Sequence, residues 1–115
     1  MEIIWSPRFE ADVKYYFRKK RYTKILDDID KATIEIQAGN FIGNKLEGLT
    51  LPANTTAYKV RLPNSSTNTG KSGGFRLLYY VAIADEIYFL TIYSKKDDNR
   101  IPSDAQIAEI INNIL

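Results

Sequence analysis

Three segments in the second half of the chain alternate or run apolar, with turn-forming residues between them: Tyr58-Lys59-Val60-Arg61-Leu62, Phe75 to Ile83, and Ile87 to Tyr93. Successive side chains on a strand point to opposite faces, so Tyr58, Val60 and Leu62 face one way and Lys59 and Arg61 the other. On the second segment Phe75, Leu77, Tyr79 and Val81 share a face, and Arg76, Leu78 and Tyr80 share the other. The connection Ala84-Asp85-Glu86 suits a tight antiparallel hairpin. This pattern calls for an antiparallel sheet, and an apolar sheet face must be buried against another layer.

Helical periodicity supplies that layer. Glu2 to Trp5 reads as a short first strand, and Ser6-Pro7 opens a helix, with serine as cap and proline at the first helical position. Phe9, Val13, Tyr16 and Phe17 then recur at helical spacing. The run Arg18-Lys19-Lys20-Arg21 ends this helix, where cations meet the partial negative charge of the last carbonyls. That structural role is at least as good an account of the run as nucleic-acid binding.

A second helix is expected from about Tyr22 to Ala38, with an apolar stripe of Ile25, Ile29, Ala32 and Ile36 and a stop at Gly39-Asn40. Asp27, Asp28 and Asp30 are expected to face solvent. Residues 40 to 55 read as a loop, and Pro63 to Gly70 as a long, mobile polar tip. Ser103-Asp104-Ala105-Gln106 is a capping box, followed by Ile107, Ile110, Ile111 and Ile114 on one helical face.

The order β-α-α-β-β-β-α predicts an α+β fold of one domain over residues 1–115. In it a helical hairpin packs on one face of a mainly antiparallel four-stranded sheet, a C-terminal helix follows, and the second face stays open.

Composition narrows the chemistry. The chain has no cysteine and no histidine, which excludes disulfides, thiolate zinc sites, cysteine nucleophiles and Ser-His-Asp triads. Acid–base work is left to lysine, tyrosine, arginine or carboxylate. No segment approaches the ~20 apolar residues that span a bilayer, and Met1 to Trp5 does not read as a signal peptide. The expected location is cytoplasmic, so Asn54-Thr55-Thr56 and Asn64-Ser65-Ser66 are polar loops despite their glycosylation pattern.

Net charge is only +2, but its distribution is uneven. No acidic residue lies between Glu47 and Asp85, whereas Lys59, Arg61, Lys71 and Arg76 do. With the apolar sets packed on the helices, Lys59, Arg61 and Arg76 share the open face. Thr91 and Tyr93 join them if the last strand keeps register, and Lys95 and Lys96 follow at once. Cations gathered on one sheet face repel unless an anion sits among them, as phosphate would. The glycines of Gly70-Lys71-Ser72-Gly73-Gly74 do not make a P-loop, since no helix follows in the right order. They make a flexible entry to a strand that lets a backbone approach.

Tyr58 to Leu62, Gly70 to Tyr80 and Leu90-Thr91-Ile92-Tyr93-Ser94-Lys95 together resemble the RelE/ParE toxin superfamily, and within it the HigB-like branch of RelE toxins. The resemblance spans nearly the whole chain and is most specific over 70–95. It implies the toxin of a type II toxin–antitoxin pair, a metal-independent endoribonuclease that cleaves mRNA on the ribosome and so inhibits translation. The RNA 2′-hydroxyl would attack the adjacent phosphate and leave a 2′,3′-cyclic phosphate.

By motif, the catalytic positions are Lys59, Arg61 and Arg76, with Tyr93 and Lys95 toward the C-terminus. Lys71, Lys96 and Arg100 would add RNA contacts. Arg76 would stabilise the pentacovalent phosphorane, Lys59 and Arg61 would hold the backbone, and Tyr93 or a lysine would handle protons or stack on a base. The implied partners are mRNA, the ribosome and a cognate antitoxin in a hetero-oligomer, with no membrane and no cofactor.

Some relatives carry a histidine–glutamate pair and others a late tyrosine and arginine. Here histidine is absent and Asp97-Asp98-Asn99-Arg100 follows Lys96, so the general base stays open. A ParE-like gyrase inhibitor that cuts nothing, and an inactive binding module of the same fold, are the alternatives.

Overall fold

The computed structural model describes residues 1–83 and 85–114. Strand β1 (Glu2–Trp5) leads into helix α1 (Pro7–Arg18) and helix α2 (Ile25–Gln37). Four further strands follow, β2 (Asn44–Lys45), β3 (Thr56–Leu62), β4 (Phe75–Val81) and β5 (Glu86–Ser94), and then helix α3 (Asp104–Ile114). They make one sheet of five strands in the order β1-β5-β4-β3-β2. β1 runs parallel to β5, and the other pairings are antiparallel.

The expectation of four mainly antiparallel strands is corrected in one respect: Asn44 and Lys45 pair with Lys59 and Tyr58 and add a fifth strand. Gly43 makes that approach possible. Its φ of +100° is a left-handed value, and a Cβ there would sit 2.5 Å from the Lys59 carbonyl oxygen. Ala84, first residue of the expected β4–β5 turn, lies outside the described residues.

The local signals act as their chemistry requires. Ser6 Oγ accepts from Phe9 N at 3.1 Å and donates to Leu90 O at 2.8 Å, so one hydroxyl caps α1 and ties it to β5. At α3, Gln106 N donates to Ser103 Oγ and Ser103 N donates to Gln106 Oε1, so both bonds of the capping box are made.

α1 and α2 cover one face of the sheet. Phe9, Val13 and Tyr16 from α1 and Ile25, Ile29, Ala32 and Ile36 from α2 pack on Val60, Leu62, Phe75, Leu77, Tyr79, Phe89 and Ile92. The second face is not open along its length, which corrects the expected one-sided arrangement. Ile107 and Ile111 of α3 bury against Ala57, Leu78, Tyr80, Leu90 and Tyr93, with Leu46, Leu49 and Leu51 packed around them. Each such isoleucine contributes about 1.5–3 kcal/mol by leaving water, enough to hold α3 in place. The second face is therefore roofed over its apolar half, and its basic half lies at the end of β3 and β4 nearest the 70–74 turn.

Asp12 and Asp28 are buried carboxylates on otherwise conventional helices. Asp12 accepts from Ile92 N at 3.2 Å, from the Thr91 hydroxyl and from Arg100 Nη2 at 3.0 Å, beyond the end of β1 where β5 has lost its strand partner. Asp28 does not face solvent as expected. It accepts from the Ser65 backbone N at 2.9 Å and from the Ser65 hydroxyl. The 63–70 segment, expected to be mobile, is anchored there. An Asn64–Thr69 bridge and a bond from Lys24 N to Ser66 Oγ at 2.9 Å hold it further.

Candidate nucleic-acid interface

Strand register lines up the basic residues. Arg61 pairs with Arg76 across β3–β4, and Arg76 pairs with Tyr93 across β4–β5. Directly opposed residues on antiparallel strands have Cα atoms about 5 Å apart and side chains on the same face, so the three form one transverse row. The next row is Lys59, Leu78 and Thr91. A bulge between Leu78 and Tyr79 shifts the β5 pairing by one residue, and it is this shift that puts Tyr93 opposite Arg76.

The members of this row differ in environment. Lys59 and Arg61 are exposed. Arg76 keeps only 7% of its surface, and its guanidinium is engaged: Nη1 donates to Lys71 O and Phe75 O, and Nη2 to Ser72 O at 3.1 Å. Burial pushes its pKa down, and the adjacent Arg61 guanidinium pushes it further. Two arginines side by side without a carboxylate between them make a site that gains from an anion. Tyr93 keeps 6% of its surface under α3. Burial raises its pKa, opposed by the Arg76 charge, so the phenol keeps its proton at neutral pH.

The turn before β4 is shaped for close backbone approach. A Cβ at Gly74 would meet Leu62 O at 2.2 Å, so only glycine lets the 70–74 turn lie against the end of β3. Lys95 N donates to Gly74 O at 3.0 Å and brings the exit of β5 to the same place. Lys71, Lys95 and Lys96 are exposed around it.

A groove of about 1030 Å³ opens along the edge of β3. Lys59, Arg61, Lys71 and Arg76 line it from the sheet and the 70–74 turn, and Asp28, Lys31, Ala32 and Glu35 line it from α2. Asp28 is bonded to Ser65 and Glu35 accepts from Asn40 Nδ2 at 2.6 Å, so both acids keep their charge on the α2 wall, and among the described residues neither is ion-paired with a cation of the row.

Of the residues read from the sequence, Lys59, Arg61, Lys71 and Arg76 share the groove, Tyr93 lies beside Arg76 under α3, and Lys95 and Lys96 stand at the β5 exit. Thr91 turns its hydroxyl to Asp12. Arg100 is elsewhere: it bonds Asp12 and lies 3.8 Å over the Tyr15 ring on the α1 side. The α2 wall was missed, although Asp28, Lys31, Ala32 and Glu35 sit at i, i+3, i+4 and i+7, the spacing of one helix face.

Among the described residues, no helix is long and apolar enough to cross a membrane. No protein-family model and no curated protein matches the chain.

Proposed function

We propose that this chain is a RelE-type toxin of a type II toxin–antitoxin pair, cleaving mRNA on the ribosome without a metal. The observation that carries the reading is the row Arg61–Arg76–Tyr93, whose two arginines line the groove together with Lys59. Two arginines and a lysine suit a phosphodiester whose charge grows as the 2′-oxygen attacks phosphorus. In that step the 2′-O–P bond forms, the P–O5′ bond breaks, and the 5′-oxygen takes a proton. Tyr93, neutral and next to Arg76, would donate that proton to the leaving oxygen. The 2′-hydroxyl proton would pass to a lysine in its neutral amine form, for which Lys95 at the β5 exit is the candidate, while Lys59 keeps its charge.

A second reading draws on the bonds that occupy Arg76. Its guanidinium clamps the 71–72 backbone, and a face so wired can bind a partner without cutting, as an inactive member of the fold or a ParE-like gyrase inhibitor would. The purified chain added to translating ribosomes separates the readings. Transcript cleavage with 2′,3′-cyclic phosphate ends supports the nuclease. Intact transcripts, with loss of supercoiling when the same preparation is added to DNA gyrase and plasmid, support the gyrase inhibitor instead, and neither effect supports the inactive binding module.

A further inference from the structure

We infer that the α1–α2 turn forms a second polyanion-binding patch, continuous with the groove, and that the two together hold an RNA strand several nucleotides long. The inference rests on the reading of the groove as an RNA site and extends it to Lys19, Lys20, Arg21 and Lys24.

Three separate segments bring cations to one end of the molecule. The Tyr22 ring lies 6.0 Å from that of Phe75, so the α1–α2 turn sits against the start of β4. Lys20 Nζ is 3.8 Å from Asp97 Oδ1, which joins that turn to the β5 exit carrying Lys95 and Lys96. Lys24 N donates to Ser66 Oγ, which joins it to the segment leading to Lys71.

Lys19, Lys20, Arg21 and Lys24 are exposed, and so are Lys71, Lys95 and Lys96. The nearby acids are Asp97, bonded by Lys20 and Tyr16, buried Asp28, bonded by Ser65, and exposed Asp98 and Asp27. Helix-end electrostatics accounts for Arg18 and Lys19 but not for Arg21 and Lys24, which lie past the end of α1 and before α2. Arg21 even takes a left-handed φ of +56°, where asparagine or glycine is the easier residue. Cations converging from three segments, in excess over acids, fit the evenly charged backbone of a nucleic acid.

The test measures binding of 2′-O-methyl RNA, which cannot be cleaved, as a trinucleotide and as a dodecanucleotide over a range of salt. Lys19→Gln with Arg21→Asn removes two patch charges, and asparagine tolerates the left-handed backbone. Each cation removed from a single-strand phosphate flattens log K against log salt by about 0.7, so this variant should flatten the dodecanucleotide slope by about 1.4 and leave the trinucleotide unchanged. Lys59→Gln with Arg61→Gln should weaken both oligonucleotides.

An unchanged dodecanucleotide slope in the patch variant, with trinucleotide binding intact, overturns the second patch and leaves the groove reading standing. No binding of either oligonucleotide overturns both. If polyglutamate binds as tightly as RNA and loses as much in the patch variant, the RNA assignment is overturned in favour of an acidic polypeptide.

Discussion

Arg76 donates to three backbone carbonyls and lies beside Arg61, so its side chain has both a structural and an electrostatic role. The two roles separate by substitution. Lysine keeps a charge but lacks the planar fork that reaches Lys71 O and Ser72 O together. Arg76→Lys is expected to loosen the 70–74 turn, seen as faster amide exchange there, and Arg76→Ala to slow single-turnover cleavage by ~10²–10³-fold while the protein stays folded. A folded, fully active Arg76→Ala variant would remove Arg76 from the chemistry. The row itself was legible in the sequence, because strand parity fixes which residues share a face. The clamp was not, since nothing in Gly70 to Arg76 announces which carbonyls a guanidinium will meet. Asp12 was legible in principle: with Phe9, Val13 and Tyr16 it completes the i, i+3, i+4, i+7 stripe of α1, and a carboxylate on a buried stripe needs partners.

The helices and long strands followed their periodicity, except that α2 begins at Ile25 rather than Tyr22 and Phe17, expected on the buried face of α1, is exposed; both capped helices begin where serine predicts. What periodicity did not settle was which layer covers which face. Arg76, Leu78 and Tyr80 share a face, and two of the three are apolar, so that face needed a cover at one end. α3, with four isoleucines on one side, was the element available. β2, two residues long, carries no alternation to detect. The 63–70 segment was misjudged because its polar composition suits a mobile loop as well as one bonded to a buried carboxylate. Asp28→Ala tests that anchor. It strips the Ser65 N–H of its acceptor, and a stability loss of about 1–3 kcal/mol in urea unfolding is expected, with faster exchange at the Ser65 amide. Unchanged stability and exchange would show that the Asn64–Thr69 bridge suffices alone.

Across the whole molecule, the sheet carries an apolar core on each face and leaves its charge at one end. The phenols of Tyr16, Tyr79 and Tyr93 are pushed above their ordinary value, burial being the largest cause in each. In the unfolded chain they titrate near about pH 10. The stability they contribute is fully present below that pH and is lost as pH rises toward the higher folded values, because the unfolded chain sheds its protons first. Urea unfolding is therefore expected to give a lower free energy at about pH 11 than at about pH 8, with a smaller drop in Tyr79→Phe. A flat profile would mean that these hydroxyls reach water.

As we propose, the row of Arg61, Arg76 and Tyr93 beside Lys59 cuts RNA through the 2′-hydroxyl of the RNA itself. The most direct measurement is single-turnover cleavage of ribosome-bound mRNA with one 2′-deoxy nucleotide at the mapped cleavage site. A 2′,3′-cyclic phosphate is expected on the all-ribose message, and no cut at the deoxy position. Cleavage that persists at the deoxy nucleotide, or a chain that binds the ribosome and leaves every message intact, would contradict the proposal.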